Sequence, residues 1–164
     1  MEEFPTVPFH GYPKISRLFR DWEITEKIDG TNGVIYVPED DGPVLAGSRN
    51  RWLTLDHDNH GFCRWVLDHH EELRCLGSGY HYGEWWGAGI QRHYGRARKG
   101  FALFDTPAGL GPELSTVVTV VPVLFRGVLR EGTLIDVCSK LRMGGSVAAP
   151  GWLQPEGVVL RHMQ

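Results

Sequence analysis

The chain has 164 residues with a net charge of −3, of which 41% are hydrophobic, 23% charged and 11% aromatic. This length fits one domain over residues 1–164, and the composition excludes a disordered or collagen-like chain. No apolar run reaches the roughly 18 residues of a membrane span, and the N-terminus lacks the regions of a signal peptide, so we expect a cytoplasmic protein without membrane contact.

The net charge conceals an asymmetry. Residues 1–82 hold 8 lysines and arginines against 14 acidic residues, whereas residues 83–164 hold 9 against 6. Four basic residues of the second half fall within eight positions: Arg92, Arg96, Arg98 and Lys99. Local positive charge attracts nucleic acid, but a solvated charged loop explains this cluster equally well.

Short strands separated by glycine and proline dominate the predicted elements. Residues 22–28 alternate apolar with polar side chains, residues 29–33 have turn composition, and residues 34–37 resume an extended pattern, which together predict a β-hairpin. The same reasoning predicts further strands at 44–48, 80–86, 101–105, 117–124 and 157–160.

Two helices complete the prediction. Apolar residues near 3.6-residue spacing follow Asp58 and Asn59, which predicts a helix over residues 59–75. A second helix is predicted to follow Thr133 and to end at the glycine pair 144–145.

The sharpest chemical signal is the segment Lys27-Ile28-Asp29-Gly30, at the turn of the predicted hairpin. A lysine becomes a nucleophile when its surroundings lower its pKa or hold its free amine near an electrophile. The tetrapeptide alone is common, and a surface lysine before an Asp-Gly turn explains it as well. Its meaning therefore depends on the segments farther along the chain.

Four further segments come after it in a definite order: Ser48-Arg49, Tyr82-Gly83-Glu84-Trp85-Trp86-Gly87, Phe101-Ala102-Leu103-Phe104-Asp105 and Glu156-Gly157-Val158-Val159-Leu160. With Lys27 as motif I, this series resembles the arginine-bearing strand and motifs III, IIIa and IV of the covalent nucleotidyltransferases. Within that superfamily the chain resembles the ATP-dependent phage-type RNA ligases over roughly residues 20–161. Asn32, where DNA ligases and capping enzymes usually carry arginine, and the run Gly-Glu-Trp-Trp-Gly-Ala-Gly-Ile-Gln both favour RNA ligases.

The resemblance implies an α+β fold, the nucleotidyltransferase (ATP-grasp-like) domain of ligases, in which antiparallel sheets form a nucleotide cleft flanked by helices. It also implies ATP and Mg²⁺ or Mn²⁺ as cofactors. Lys27 would attack the α-phosphorus of ATP and hold AMP as lysyl-AMP. AMP would pass to an RNA 5′-phosphate, and an RNA 3′-hydroxyl would then displace it and seal the strand.

The resemblance also implies roles for individual residues. Asp29 shares the catalytic motif of Lys27, while Asn32 and Glu156 would hold the metal, partly through water, since oxygen ligands suit Mg²⁺. Arg49 would contact a ribose or phosphate, although a strand-end surface arginine explains it equally well.

The remaining assignments concern the nucleoside. Glu84 would bind the ribose hydroxyls. Phe104 would stack on adenine beside Asp105, although an aromatic residue in such a strand is commonly core. Glu26 would face the adenine amine, with a solvent-facing strand residue as the equal alternative.

One expected element has no counterpart in the chain. Motif V is a strand with one or two lysines that grip the α-phosphate, and no lysine follows Lys140. Arg161, a partner chain or a further domain would have to supply this cation. Two other functions stay open: a degenerate ligase-like domain that binds nucleotide or RNA without catalysis, and a DNA ligase or capping-enzyme relative.

Overall fold

The computed structural model of the chain describes residues 21–105 and 109–163. The N-terminal stretch on which the signal-peptide prediction rests lies outside these ranges. Within them the strands are β1 Asp21–Lys27, β2 Thr31–Val37, β3 Leu45–Gly47, β4 Gly79–Gly87, β5 Lys99–Leu103, β6 Val118–Val120, β7 Val123–Val128 and β8 Gly157–His162. The helices are α1 Phe62–Asp68, α2 His70–Arg74, α3 Thr133–Gly144 and a 3₁₀ turn, Leu114–Thr116. No helix in the described ranges combines the length and apolar character needed to cross a membrane.

The strands form two sheets, and the fold is α+β as predicted. The smaller sheet has the order β7-β1-β8, and the larger sheet has the order β3-β2-β4-β5-β6. The pairs are antiparallel except β5 with β6, which are parallel, so the larger sheet is mixed. The predicted antiparallel pairing is confirmed for the other strand pairs and does not hold for this one.

The predicted hairpin of residues 22–37 is wrong. β1 pairs with β7 and β8, whereas β2 pairs with β3 and β4, so residues 28–30 carry the chain from one sheet to the other. A period of two decides which side chains share a face of a strand, but it does not decide which strand pairs with which. β1 is central in its sheet and is buried over Glu23–Glu26.

Two other predicted elements are divided. The predicted strand 117–124 is β6 and β7 in different sheets, and between them the Pro122 carbonyl accepts a hydrogen bond from the Glu26 N–H. Proline has no N–H, so Pro122 cannot donate a hydrogen bond to a neighbouring strand, and the strand ends there. The predicted helix 59–75 breaks at His69 into α1 and α2. Asp58 does serve its first turn, because its carboxylate accepts bonds from the Cys63 and Arg64 N–H groups.

The main core lies between α1, α2 and one face of the larger sheet. β2 contributes Ile35 to it and β4 contributes Trp85, and its members also include Phe62, Phe101 and Leu103. The rings of Phe62 and Phe101 stack with centroids 5.1 Å apart. The helices therefore cover this face and leave the opposite face to other elements.

A second, smaller core sits where the two sheets meet. It contains Ile28 and Val121 from the two crossings between the sheets, with Trp86 and Ala102 of the larger sheet. This core covers one end of the second face of the larger sheet. The rest of that face, on which Glu84 lies, is left open by the residues that the structure describes, and we call it the open face.

An ion-pair network also joins the two sheets. Glu23 of β1 is 1% exposed and bonds to the Arg126 Nε and the Arg161 Nη2 at 2.6 Å each. Arg161 of β8 reaches across to Asp105, just after β5, with 2.7 Å between Nη1 and Oδ2. Because a buried carboxylate needs partners, this network fixes β8 against the end of β5.

Close packing of β4 against β5 predicts the effect of a single methyl group. A Cβ on Gly83 would lie 2.6 Å from Phe101 Cζ and closer still to the Ala102 carbonyl oxygen. We expect Gly83→Ala to lower the free energy of unfolding by about 2 kcal/mol, measured by urea denaturation. Gly111→Ala, where nothing lies within 4 Å of the added Cβ, is the matched control, and equal losses in the two variants would contradict the packing argument.

The ion-pair network predicts a second loss of stability. Arg161→Met leaves the buried Glu23 with one cation, and we expect it to lower the free energy of unfolding by about 2 kcal/mol. Arg130→Met removes an exposed guanidinium from the same half of the chain and should change stability little. The same small effect for Arg161→Met in urea denaturation would show that the network does not stabilise the fold.

Candidate active site

A polar cavity of about 390 Å³ opens where the sheets meet the open face. Its lining comes from four segments that are far apart in sequence: Lys27–Asn32, Ser48 with Arg49, Glu84, and Glu156. The cavity thus brings together Lys27, Asp29, Asn32, Arg49, Glu84 and Glu156, six of the residues that the sequence singled out. The crossing at residues 28–30 places the first three at the cavity, because it begins on the smaller sheet and ends on the larger one.

Pairing of β1 with β8 brings Lys27 and Glu156 together. Lys27 ends β1 opposite Gly157, the first residue of β8, and Glu156 immediately precedes it. The Lys27 Nζ forms an ion pair with Glu156 Oε1. The Lys27 side chain is 49% exposed and the Glu156 side chain 23% exposed, so the amine is reachable from solvent while its partner is largely covered.

Glu84 and Asn32 lie opposite each other on β4 and β2. Glu84 Oε1 accepts a hydrogen bond from the Gly30 N–H at 3.1 Å. Burial raises the pKa of the Glu84 carboxyl from 4.5 to about 7, against the opposing effects of that N–H and of Lys27, while Glu156 and Asp29 raise it further. Three carboxyl groups thus share one cavity, and the one on β4 titrates near neutral pH.

The loop that follows Lys27 is fixed by contacts from the segment after β4. Asp29 pairs with Arg92, with 2.9 Å between Oδ2 and Nε, and the Asp29 N–H donates to the Tyr94 hydroxyl at 2.7 Å. Burial raises the pKa of Tyr94 to about 12. A Cβ on Gly30 would lie 2.5 Å from the Trp85 carbonyl oxygen, so glycine is needed for the crossing to run this close to β4.

Sequence reasoning missed Arg92 and Tyr94 as residues that position this loop. The predicted basic cluster around Arg92 is divided by its contacts: Arg92 pairs with Asp29, and the Arg96 guanidinium lies 4.2 Å from the Trp86 ring centroid. Lys99 donates to the His60 carbonyl. The sequence signal for Tyr94 is weak: a tyrosine followed by a glycine, soon after the segment Tyr82–Gly87, does not indicate a contact with Asp29.

Arg49 projects from a turn at the rim of the cavity. The Ser48 N–H and hydroxyl both donate to the Arg51 carbonyl, at 2.8 and 3.2 Å. This closes the turn after β3 and leaves Arg49 exposed at its tip. The cavity lining in the described residues contains two cationic side chains, Lys27 and Arg49.

Three predicted residues lie outside the cavity lining. Glu26 is 1% exposed, and its Oε2 accepts hydrogen bonds from the Val147 and Ala148 N–H groups at 2.8 and 2.9 Å. It is therefore not a solvent-facing strand residue, because both faces of β1 are buried over Glu23–Glu26. Phe104 and Asp105 come just after β5. The Phe104 N–H donates to the Tyr82 carbonyl, which places Phe104 beside β4, and Asp105 binds Arg161.

Arg161 does not lie at Lys27. It is four residues along β8 from Gly157, the residue opposite Lys27, which is about 13 Å of strand, and both of its terminal nitrogens bind carboxylates. These contacts do not support the idea that Arg161 replaces the motif V lysines. Its guanidinium holds the two sheets together instead.

Oxygen atoms at the cavity suit a hydrated divalent cation. Glu156 Oε2 is buried and has no hydrogen-bond partner among the described residues, and the Asn32 amide faces the same cavity. No three His, Cys, Asp or Glu side chains in the described ranges are arranged to hold one metal ion. The donor set therefore fits an ion such as Mg²⁺, which keeps several waters and binds one or two carboxylates together with phosphate oxygens.

The raised pKa of Glu84 predicts a pH dependence of stability. Between about pH 4.5 and 7 the folded chain keeps a proton on Glu84 that the unfolded chain has released, so this group's contribution to stability is lost as the pH rises through that window. Glutamine cannot titrate. The free energy of unfolding of Glu84→Gln minus that of the wild type is therefore expected to grow from pH 4.5 to 7.

Urea denaturation at several pH values measures this difference. Glu39→Gln, which removes an exposed carboxylate, controls for the general effect of losing one negative charge. If the free energy of unfolding of Glu84→Gln minus that of the wild type stays constant from pH 4.5 to 7, the folded chain does not hold the proposed proton on Glu84.

Known RNA ligases match this chain in sequence pattern and in fold. A sequence model of the RNA ligase family matches residues 20–164, whereas a search of curated proteins gives no match. Among solved structures, a Naegleria gruberi RNA ligase mutant with ATP and Mn is 23% identical with a TM-score of 0.59, and the match covers 88% of this chain and 47% of that one. A second mutant with AMP and Mn is 22% identical with a TM-score of 0.57, covering 97% and 54%.

The same ligase with PPi is 20% identical with a TM-score of 0.58, covering 88% of this chain and 47% of that one. The chain thus spans about half the length of the solved structures that it matches, and at these identities the likeness shows the fold. The match of the family model covers most of the sequence, and the motif order that first indicated this relationship agrees with it. The chain belongs to the RNA ligase family.

Proposed function

We propose that residues 1–164 form one nucleotidyltransferase domain of an ATP-dependent RNA ligase, with Lys27 as the nucleophile that forms lysyl-AMP. The observation that carries this proposal is the exposed Lys27 amine, held by Glu156 at the mouth of a polar cavity. Family membership supports the reaction class. The names of the solved relatives, which include ATP, AMP, PPi and Mn, support the nucleotide and a divalent metal.

In the first step the Lys27 Nζ attacks the α-phosphorus of ATP. A P–N bond forms, the P–O bond to the β-phosphate breaks, and pyrophosphate leaves. The amine must lose its proton to attack, and Glu156 contacts Nζ and is placed to accept it. Asp29, held by Arg92 and Tyr94, keeps the loop after Lys27 rigid, which serves the alignment on which this transfer depends.

The other cavity residues hold the nucleotide. Arg49 can pair with a phosphate or ribose, and Glu84, which titrates near neutral pH, can accept a hydrogen bond from a ribose hydroxyl. Phe104 and Asp105 lie outside the cavity lining, so a role for them at the adenine requires that the base extend along β5. Glu26 would act only by positioning, since its carboxylate is bonded to the Val147 and Ala148 amides.

Asn32 and Glu156 would hold Mg²⁺ or Mn²⁺, partly through water, and such an ion neutralises phosphate charge when it is bound. In the second step an RNA 5′-phosphate oxygen displaces Lys27 from AMP and forms a 5′-5′ pyrophosphate. In the third, an RNA 3′-hydroxyl attacks the 5′-phosphorus and AMP leaves.

The lining supplies few cations for this chemistry. Lys27 is the nucleophile, which leaves Arg49 as the remaining cationic side chain of the described lining. Charge grows on the phosphate oxygens as the leaving group departs, and cations there stabilise the transition state. We propose that a further domain or a partner chain supplies the motif V lysines.

Labelling with ATP that is radioactive at the α-phosphate tests the first step. With Mg²⁺ or Mn²⁺ present, we expect label on the denatured wild-type chain and none on Lys27→Ala, because only a covalent adduct survives denaturation. Lys27→Arg, which keeps the charge but not the nucleophile, should also stay unlabelled. Lys140→Ala, on the exposed side of α3, is the matched control and should be labelled.

Each outcome separates the alternatives. A wild type that binds ATP but takes up no label would favour a binding module without catalysis. Label from GTP in preference to ATP would favour a capping-enzyme relative, and transfer of AMP to nicked DNA rather than RNA would favour a DNA ligase. Label on Lys27→Ala would show that another residue is the nucleophile.

A further inference from the structure

We infer that the open face beyond Glu84 is a stacking platform for unpaired nucleotides of the RNA strand whose end enters the Lys27 cavity. This inference rests on the proposed function and names its substrate class: RNA that is single-stranded next to the reacting end. Four side chains form the platform: Tyr36, Trp52, Tyr80 and Tyr82. We call them the aromatic platform.

The strand register places the aromatic platform on the same face as the cavity. Tyr80, Tyr82 and Glu84 alternate along β4 and so share a face. On β2, Tyr36 lies opposite Tyr80, just as Asn32 lies opposite Glu84. One sheet face therefore begins with the polar groups of the cavity and continues into aromatic rings.

Three rings of the aromatic platform are exposed, and Tyr80 lies nearly parallel to each of the other two, Trp52 and Tyr82. Tyr80 is 56% exposed, Tyr82 52% and Trp52 48%. Tyr80 and Tyr82 have centroids 6.3 Å apart with planes 12° apart, and Trp52 and Tyr80 have centroids 6.3 Å apart with planes 26° apart. Tyr36 supports Tyr80 from the side, with centroids 4.8 Å apart. Clustered aromatic exposure on this scale marks a binding surface.

The aromatic platform is continuous with the cavity. A groove of about 320 Å³ runs over Trp52, Tyr80 and Tyr82, and it shares Ser48 and Arg49 with the Lys27 cavity. An RNA strand that lay on the rings would therefore reach Lys27 without crossing any other element of the described ranges. Arg49 stands where the two meet.

Charge along the groove suits a phosphate backbone. Arg49 and Arg51 both line it, and neither forms an ion pair with a carboxylate in the described ranges. The Arg51 guanidinium donates to the Trp52 and His57 carbonyls, so its position is fixed and its charge is not neutralised. Arg92, by contrast, is paired with Asp29, which makes its cluster a weaker candidate for contact with RNA.

The combination of rings and arginines favours a single strand over a duplex. Bases of a duplex are stacked on one another and hidden, whereas unpaired bases can lie on aromatic rings without sequence preference. Arginines beside the rings then hold the phosphates between stacked bases. A purely apolar protein partner would leave both guanidinium charges unmatched.

Binding of RNA to the full chain, without ATP, tests the aromatic platform. The probe is a fluorescent 12-nucleotide oligouridylate with a 5′-phosphate, and the measurement is fluorescence anisotropy. We expect Tyr80→Leu and Tyr82→Leu each to weaken binding about tenfold, since leucine keeps apolar area but loses the stacking face. Tyr82→Phe keeps the ring and should bind as the wild type does. Ile135→Ala, at a 70% exposed position on α3, is the remote control and should also bind normally.

Three results would overturn the inference. They are a wild type without affinity for the oligouridylate, leucine variants that bind it as tightly as the wild type, and an RNA duplex of the same length that binds as well as the single strand. Sedimentation adds a fourth: a wild type that self-associates and leucine variants that do not, with unchanged RNA binding, would assign the face to a second copy of the chain.

Failure of the proposed function is distinguished by a separate experiment. Labelling of the wild type with ATP contains no RNA, so its outcome does not depend on the aromatic platform. An unlabelled wild type with ring-dependent RNA binding would reject the chemistry and keep the platform. A labelled wild type whose RNA binding does not depend on Tyr80 and Tyr82 would keep the proposed chemistry and reject the platform.

Discussion

The crossing of the chain between the two sheets at residues 28–30 is the constraint on which the rest of the structure depends. It requires Gly30, because the backbone runs against the Trp85 carbonyl where no side chain fits. Ile28 of the same segment is buried in the small core at the junction. The crossing therefore leaves Lys27 at the end of one sheet and Asn32 near the start of the other, with a cavity between them.

The electrostatics of the cavity follow from this geometry. β1 brings Lys27 to Glu156, and β4 brings Glu84 to the loop that carries Asp29. Burial, together with the two neighbouring carboxylates, raises the pKa of Glu84 to about 7. Such a site gains from additional positive charge, which agrees with the binding of a cation together with a nucleotide.

The second face of the larger sheet has a covered part and an open part. Where Ile28 and Val121 of the two crossings, together with Tyr94 and Ala149, cover it, Trp86 and Ala102 are buried. Where they do not, polar groups occupy one part and Tyr80, Tyr82 and Trp52 the other. The proposed function thus lies on the portion of a regular sheet that no other element of the described residues covers, where backbone hydrogen bonds hold the side chains in fixed positions.

The sequence predicted the α+β class, most strands, α3 and, through motif order, the family. It also singled out six residues that the cavity brings together, because the motifs that resemble those of the family mark them by residue type and order. It failed at the hairpin of residues 22–37 and the strand 117–124, since both cross between sheets and local alternation carries no information about strand partners.

What the sequence by itself determined is therefore the order of the chemical groups and the family of the chain, as motifs are local patterns of residue type. Only the tertiary structure decided which groups meet. The burial of Glu26, the use of Arg161 as a link between sheets, the support of Asp29 by Tyr94, and the exposure of Tyr80 and Tyr82 beside the cavity all depend on contacts between segments far apart along the chain. Those contacts arise from the way the chain crosses between the two sheets and pairs its strands.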